Sequence, residues 1–192
     1  MKTLRHPFPI RIWHWLFAPA MILEVITGLS LSYPNPAPGL PNLRSVKKAH
    51  FTVGFILAGL YIAYLFDRRK YPDIFPTPKD LFIGLPKFLS YEFFLTKKKP
   101  KFEKYNPGQK FLYTLWLFLI PFLLVLGLFL YLPRLFMRPL AWIGGLNNAR
   151  RLIHLGTVVM AASISGHIFF GLTHSIEVLK SIFIGSFNPQ KQ

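Results

Sequence analysis

Residues 150–174 read RRLIHLGTVVMAASISGHIFFGLTH: two arginines, then an apolar run carrying histidines at positions 154 and 167. As a helix that run is long enough to cross hydrocarbon, which takes about 20 apolar residues. An ionisable side chain at such depth is costly, so each of the two histidines is a functional candidate by default. His174 and Glu177 mark the return to water.

Three more runs of the same kind precede it, giving predicted spans at about 10–33, 49–66, 111–132 and 152–173. The first is followed by YPNPAPGLPN, which cannot continue a helix. The second stops at the charge cluster Asp67-Arg68-Arg69-Lys70, and the third at Pro133. The pattern predicts an all-α membrane protein, a four-transmembrane-helix bundle forming one integral membrane domain over residues 1–192. Two other apolar stretches, 81–95 and 135–146, are interrupted by Pro86, Lys87 and Glu92 or by Arg138 and Pro139, and are expected at the membrane interface. Lys2, Arg5 and Arg11 lead into a run containing Ala18-Pro19-Ala20, a loose match to a signal-cleavage site; the run continues well beyond it, so cleavage is not expected.

Composition agrees with this reading. Of 192 residues, 52% are hydrophobic, 17% aromatic and only 16% charged, too few charges for an ordinary soluble domain. The net charge of +16 does not make a nucleic-acid binder, because Lys and Arg lie between apolar runs instead of on one face of a folded domain. With no cysteine, disulfides, thiolate-held iron–sulfur clusters and thioether-linked haem are excluded. The side holding the N-terminus carries 16 Lys and Arg against 7 opposite. The positive-inside rule therefore puts both termini and the 67–110 loop in the cytoplasm of a multi-pass membrane protein.

Four histidines lie within spans: His14, His50, His154 and His167. Alternating helix direction converts position into depth, so His50 and His154 are level near the outer surface. His167, 13 residues after His154 and about 20 Å further along the helix, is level with His14 near the inner one. One outer and one inner pair, each drawn from two helices, suit axial ligation of two haems; the alternative is four hydrogen-bonded packing histidines. The separation excludes a single zinc site. Gly28, Gly54, Gly156, Gly166 and Gly171 remove bulk where a macrocycle could lie, although glycine also serves plain helix packing. Arg11, Lys47, Lys48, Arg150 and Arg151 could pair with propionates or simply snorkel.

Thirteen residues rotate a helix by about 220°, so His154 and His167 point to different sides unless a local π-bulge near Ser163, Ser165 and Gly166 realigns them. His174, seven residues past His167 on nearly the same face and further in, is the rival inner ligand.

Ahead of the third span, Tyr105-Asn106-Pro107-Gly108-Gln109-Lys110 lies level with His14 and His167. Asn106 and Gln109 can hydrogen-bond quinone carbonyls, Gly108 lets backbone approach closely, and free N–H groups at a helix start favour developing negative charge. An ordinary helix-start turn accounts for the same residues. Glu24, the sole acid within a span, is expected to be a buried protonated side chain bonded to a neighbouring hydroxyl.

RIWHW in span one, KKAHFTVG opening span two, KYNPGQK before span three, and RRLIHLG with SGHIFFG in span four resemble the four-helix di-haem cytochrome b subunits of bacterial respiratory enzymes. The motifs are most similar to the formate dehydrogenase gamma subunit, with the cytochrome b subunits of nickel–iron hydrogenase and thiosulfate reductase as relatives. The resemblance implies two haem b groups, His50 and His154 holding the outer and His14 and His167 the inner. It also implies a site for menaquinone or ubiquinone at Asn106, Gly108 and Gln109. By the same resemblance the chain is an electron-transfer subunit of the bacterial cytoplasmic (inner) membrane, passing electrons from a periplasmic iron–sulfur subunit to quinone while a separate catalytic subunit performs the substrate chemistry. Quinol oxidation on behalf of a periplasmic reductase, or a haem-free membrane anchor, are the competing expectations.

Overall fold

The computed structural model describes residues 3–32, 42–66, 74–98, 100–102, 105–174 and 176–187. The Pro-rich stretch after span one, apart from Asn42, and the 67–70 charge cluster lie outside the described residues, as does the side chain of His174.

The order is β1 (Thr3–Leu4), α1 (Phe8–Leu31), α2 (Leu43–Leu65), a π-helical turn (Asp80–Gly84) running into α3 (Leu85–Glu92), α4 (Pro107–Tyr131), α5 (Met137–Trp142), α6 (Gly145–His174), α7 (Ile176–Ile184) and β2 (Ser186–Phe187). The protein is all-α but for the two-residue strands, and α1, α2, α4 and α6 are long and apolar enough to cross a membrane. Only 11–22% of the residues in each of these spans are buried within the chain, so their apolar side chains mostly face outward, as lipid contact requires.

The spans start earlier than their apolar runs do. Arg44, Lys47 and Lys48 lie in α2, and Arg150 and Arg151 in α6. Hydropathy reports what hydrocarbon tolerates, whereas a helix begins at its cap: Asn42 Oδ1 accepts the Ser45 N–H at 3.0 Å. Neither interfacial candidate crosses. One becomes the π-turn with α3, and the other contains α5, six residues long.

The chain divides into two compact units, one comprising residues 13–65 and 118–162 and the other residues 1–12, 66–117 and 163–192. In the first, antiparallel α1 and α2 are joined where Trp13 Nε1 donates to Leu60 O at 2.9 Å and its ring stacks on Phe17 and Tyr64. Tyr131 of α4 packs on Phe51 and Phe55 of α2. At Gly156 of α6 a Cβ would fall 2.6 Å from Leu123, so this glycine serves helix packing. Leu57 and Met160 are fully buried.

In the second unit β1 pairs antiparallel with β2, and Gly185 O accepts from Arg5 N and His6 N. Gly185 has φ of 82°, a conformation other residues adopt only with strain. Phe88 of α3 is buried at its centre against Phe102 and Phe170. Arg11 donates to Phe183 O at the end of α7, so its guanidinium serves a helix C-terminus.

Candidate functional site

In the first unit the His50 ring is held by α1. Its Nδ1 is 3.0 Å from Thr27 Oγ1 and 3.3 Å from Glu24 Oε1. The threonine hydroxyl has one proton and donates it to Leu23 O at 2.7 Å. Toward His50 it therefore accepts, which puts the imidazole proton on Nδ1 and leaves Nε2 with a lone pair, the form in which histidine binds a metal. Room for the ring comes from Gly28, where a Cβ would lie 3.2 Å from His50 Cε1 and 3.7 Å from the Thr157 methyl. Thr157 stands on α6 three residues after His154 and, with Ile153, lines the same cavity as His50.

A cavity of about 270 Å³ opens beside this group, lined by His50, Glu24 and Gly54 with apolar residues of all four spans, among them Met21, Phe55, Leu128 and Met160. An imidazole with Nε2 unoccupied at the wall of an apolar cavity, with a glycine clearing space against the ring, fits a haem. Among the described residues no cluster of three or more His, Cys, Asp or Glu exists that would hold a bare ion.

His14, also in this unit, has a buried Nδ1 with no hydrogen-bond partner among the described residues. Such an orphan fits a ligand better than a packing role. His167 belongs to the other unit, with its ring edge-on to Trp116 at 5.2 Å while Trp116 Nε1 donates to Ser163 Oγ at 2.8 Å. The helix carrying His154 and His167 keeps α geometry throughout, so no π-bulge near Ser163 realigns them and they leave α6 on different sides.

The residues predicted for quinone come together with His167. Asn106, Gly108, Gln109 and His167 line one cavity of about 40 Å³, with Phe88 and Phe170. That volume holds water, not a quinone ring, so a carrier would dock at its mouth. Asn106 caps α4: its Oδ1 accepts Gln109 N–H at 2.8 Å, and Gln109 Oε1 accepts Asn106 N–H at 3.1 Å. Both amide oxygens are thereby committed, leaving NH₂ groups, the polarity a quinone carbonyl needs. At Gly108 the approaching group is the Phe88 ring, 2.5 Å from where a Cβ would stand.

The same helix start is tied to the π-turn. Asp80 Oδ2 accepts from Lys110 Nζ at 2.9 Å, from Thr77 N at 2.9 Å and from Thr77 Oγ1 at 2.8 Å. The Lys110 hydrogen bond foremost, helped by Thr77, holds the Asp80 carboxyl down at about 2. A depressed folded pKa stabilises above the unfolded value of about 3.9 and is lost as pH falls toward 2. Thermal melts in detergent should therefore show the advantage of the parent over Asp80→Asn shrinking between about pH 4 and pH 2; an advantage constant across that window would contradict the assignment.

Glu24 and Thr27 were not among the residues that the sequence nominates. The acid in mid-span was its own signal, but its partner is the His50 imidazole and not a hydroxyl.

A sequence profile of the prokaryotic cytochrome b561 family matches residues 5–185. A probable Ni/Fe-hydrogenase B-type cytochrome subunit of Azotobacter vinelandii is 24% identical over 197 residues, covering 91% of this chain and 82% of its own. The probable Ni/Fe-hydrogenase 1 B-type cytochrome subunit of Escherichia coli is 25% identical over 193 residues, with 88% and 81% covered. One from Rhodobacter capsulatus is 25% identical over 138 residues, covering 64% and 52%.

Proposed function

This chain belongs to the prokaryotic cytochrome b561 family, and from that premise we propose that it is the membrane cytochrome b subunit of a hydrogenase-type respiratory complex, carrying electrons between a periplasmic iron–sulfur partner and a membrane quinone. Two b haems, one on His50 and His154 and the other on His14 and His167, supply single-electron transfer when bound. The observation that carries the reading is the pair of contacts at His50 Nδ1, Thr27 Oγ1 at 3.0 Å and Glu24 Oε1 at 3.3 Å, which leaves Nε2 for iron on a ring that lines the 270 Å³ cavity.

Each remaining part of the work falls to a named group. The apolar walls around His50 exclude water from the ring. At the His167 cavity the amide NH₂ groups of Asn106 and Gln109 orient a quinone by its carbonyl oxygen, and the open N–H groups at the start of α4 favour the negative charge that reduction places there. The charge bias, which by the positive-inside rule favours a cytoplasmic 67–110 loop, supports proton uptake from that side, so that turnover contributes to proton-motive force.

The hydrogenase relatives support hydrogenase as the partner, over the formate dehydrogenase that the sequence motifs suggest. The test is the haem α band of native membranes, compared with membranes lacking this chain. Hydrogen is expected to reduce it. Reduction by formate alone would transfer the chain to a formate dehydrogenase, and reduction by quinol alone to a quinol-oxidising role such as that of a thiosulfate reductase. Failure of all three donors with haem present would contradict an electron-carrying role.

A further inference from the structure

Glu24 enters the scheme above only as an occupant of His50 Nδ1, yet its surroundings are shaped for it. It reaches from α1 to within 3.3 Å of His50 Nδ1, a nitrogen that already has Thr27 Oγ1 as an acceptor at 3.0 Å. At Gly54, four residues after His50, a Cβ would stand 3.1 Å from Glu24 Oε1. At Gly28, four residues after Glu24, a Cβ would stand 3.2 Å from His50 Cε1. The two helices thus mirror each other: each supplies one member of an acid–imidazole pair, and one turn later a glycine that clears space for the other member.

A packing histidine needs no such provision, because Thr27 alone satisfies its N–H. The second acceptor carries a buried carboxyl into a membrane span, at a cost that serves no purpose unless the carboxyl acts on the ring. Tyr131 is the only other titratable residue lining the same cavity, and the α4 and α6 walls are otherwise apolar but for Thr157. No neighbouring cation there competes for Glu24, and its Oε2 has no hydrogen-bond partner among the described residues.

We propose that Glu24 is a positioning residue for His50, fixing the orientation of the imidazole and strengthening Nε2 as a donor, so that it lowers the redox potential of the haem which that ring holds. A carboxyl oxygen accepting from the far nitrogen of a ligating histidine orients the ring and raises the ligand's basicity, which favours the ferric state. The inference rests on the cytochrome reading above.

It is tested on the detergent-purified chain by haem quantification, potentiometric titration resolving each haem, and electron paramagnetic resonance of the ferric state. Glu24→Gln keeps the size of the side chain but replaces one acceptor oxygen with a donating NH₂. It is expected to retain both haems, move one midpoint potential upward by the equivalent of about a tenfold change in redox equilibrium, about 59 mV for one electron, and alter one ferric signal. Gly54→Ala, whose Cβ would stand 3.1 Å from Glu24 Oε1 and crowd the carboxyl away from the ring by a few tenths of an ångström without changing it, should shift the same haem in the same direction by less. Parent-like potentials in both variants with two haems bound would overturn the inference and leave the cytochrome reading intact. Haem loss in Glu24→Gln with parent-like potentials in Gly54→Ala would also overturn it, making Glu24 purely structural. A parent protein without haem would overturn both readings.

Discussion

His50→Ala is expected to purify with one haem where the parent carries two, and His154→Ala to reproduce that loss. The first substitution removes the imidazole whose Nε2 is left free when Thr27 and Glu24 hold Nδ1. It also leaves Glu24 without its partner in the membrane, which costs on the order of 1–3 kcal/mol of stability on top of the lost haem. His50→Gly separates the two effects. The space beside Gly28 then admits free imidazole, which should restore haem without restoring the covalent side chain. The measurement is a pyridine haemochrome assay per chain, with and without added imidazole. Two haems retained in both His50→Ala and His154→Ala would remove the outer pair from the account.

The second large effect is expected at the other pair. His167→Ala should lose the remaining haem and reduce quinone turnover by at least about 100-fold, because His167 lines the cavity that also contains Asn106 and Gln109. His14→Ala should match it in haem content. His174→Ala is the control: it should keep both haems and most of the turnover. Quinol-dependent haem reduction and oxidation by stopped-flow absorbance reads both variants. Loss of haem in His174→Ala with retention in His167→Ala would transfer the ligand to position 174.

Much of this architecture was readable from the chain because hydrocarbon imposes a severe rule: about 20 apolar residues, with every polar exception in need of a reason. That rule exposed the four spans and drew attention to His14, His50, His154, His167 and Glu24. It could not place helix ends, since α2 begins at Leu43 with Arg44, Lys47 and Lys48 inside it, cations whose stems lie along apolar surface while their heads reach water.

The detail of the site escaped for a different reason. That Gly28 faces the His50 ring and Gly54 faces Glu24 depends on the rotational setting of α1 against α2, which spacing within either helix does not encode. Gly108 illustrates the same limit, since its neighbour Phe88 lies 20 positions earlier in another helix. Asn106 and Gln109 were legible as chemistry, and also as an ordinary helix-start turn; the structure shows that turn to be a reciprocal cap that takes both amide oxygens. The absence of a bulge in α6 could not be read from Ser163, Ser165 and Gly166, which are compatible with either geometry.

The most direct test of the central claim is a reduced-minus-oxidised spectrum of the detergent-purified chain with haem quantified against protein. The account predicts two low-spin b haems per chain. A colourless protein, folded and helical by circular dichroism but without haem, would contradict it and leave a membrane anchor in its place.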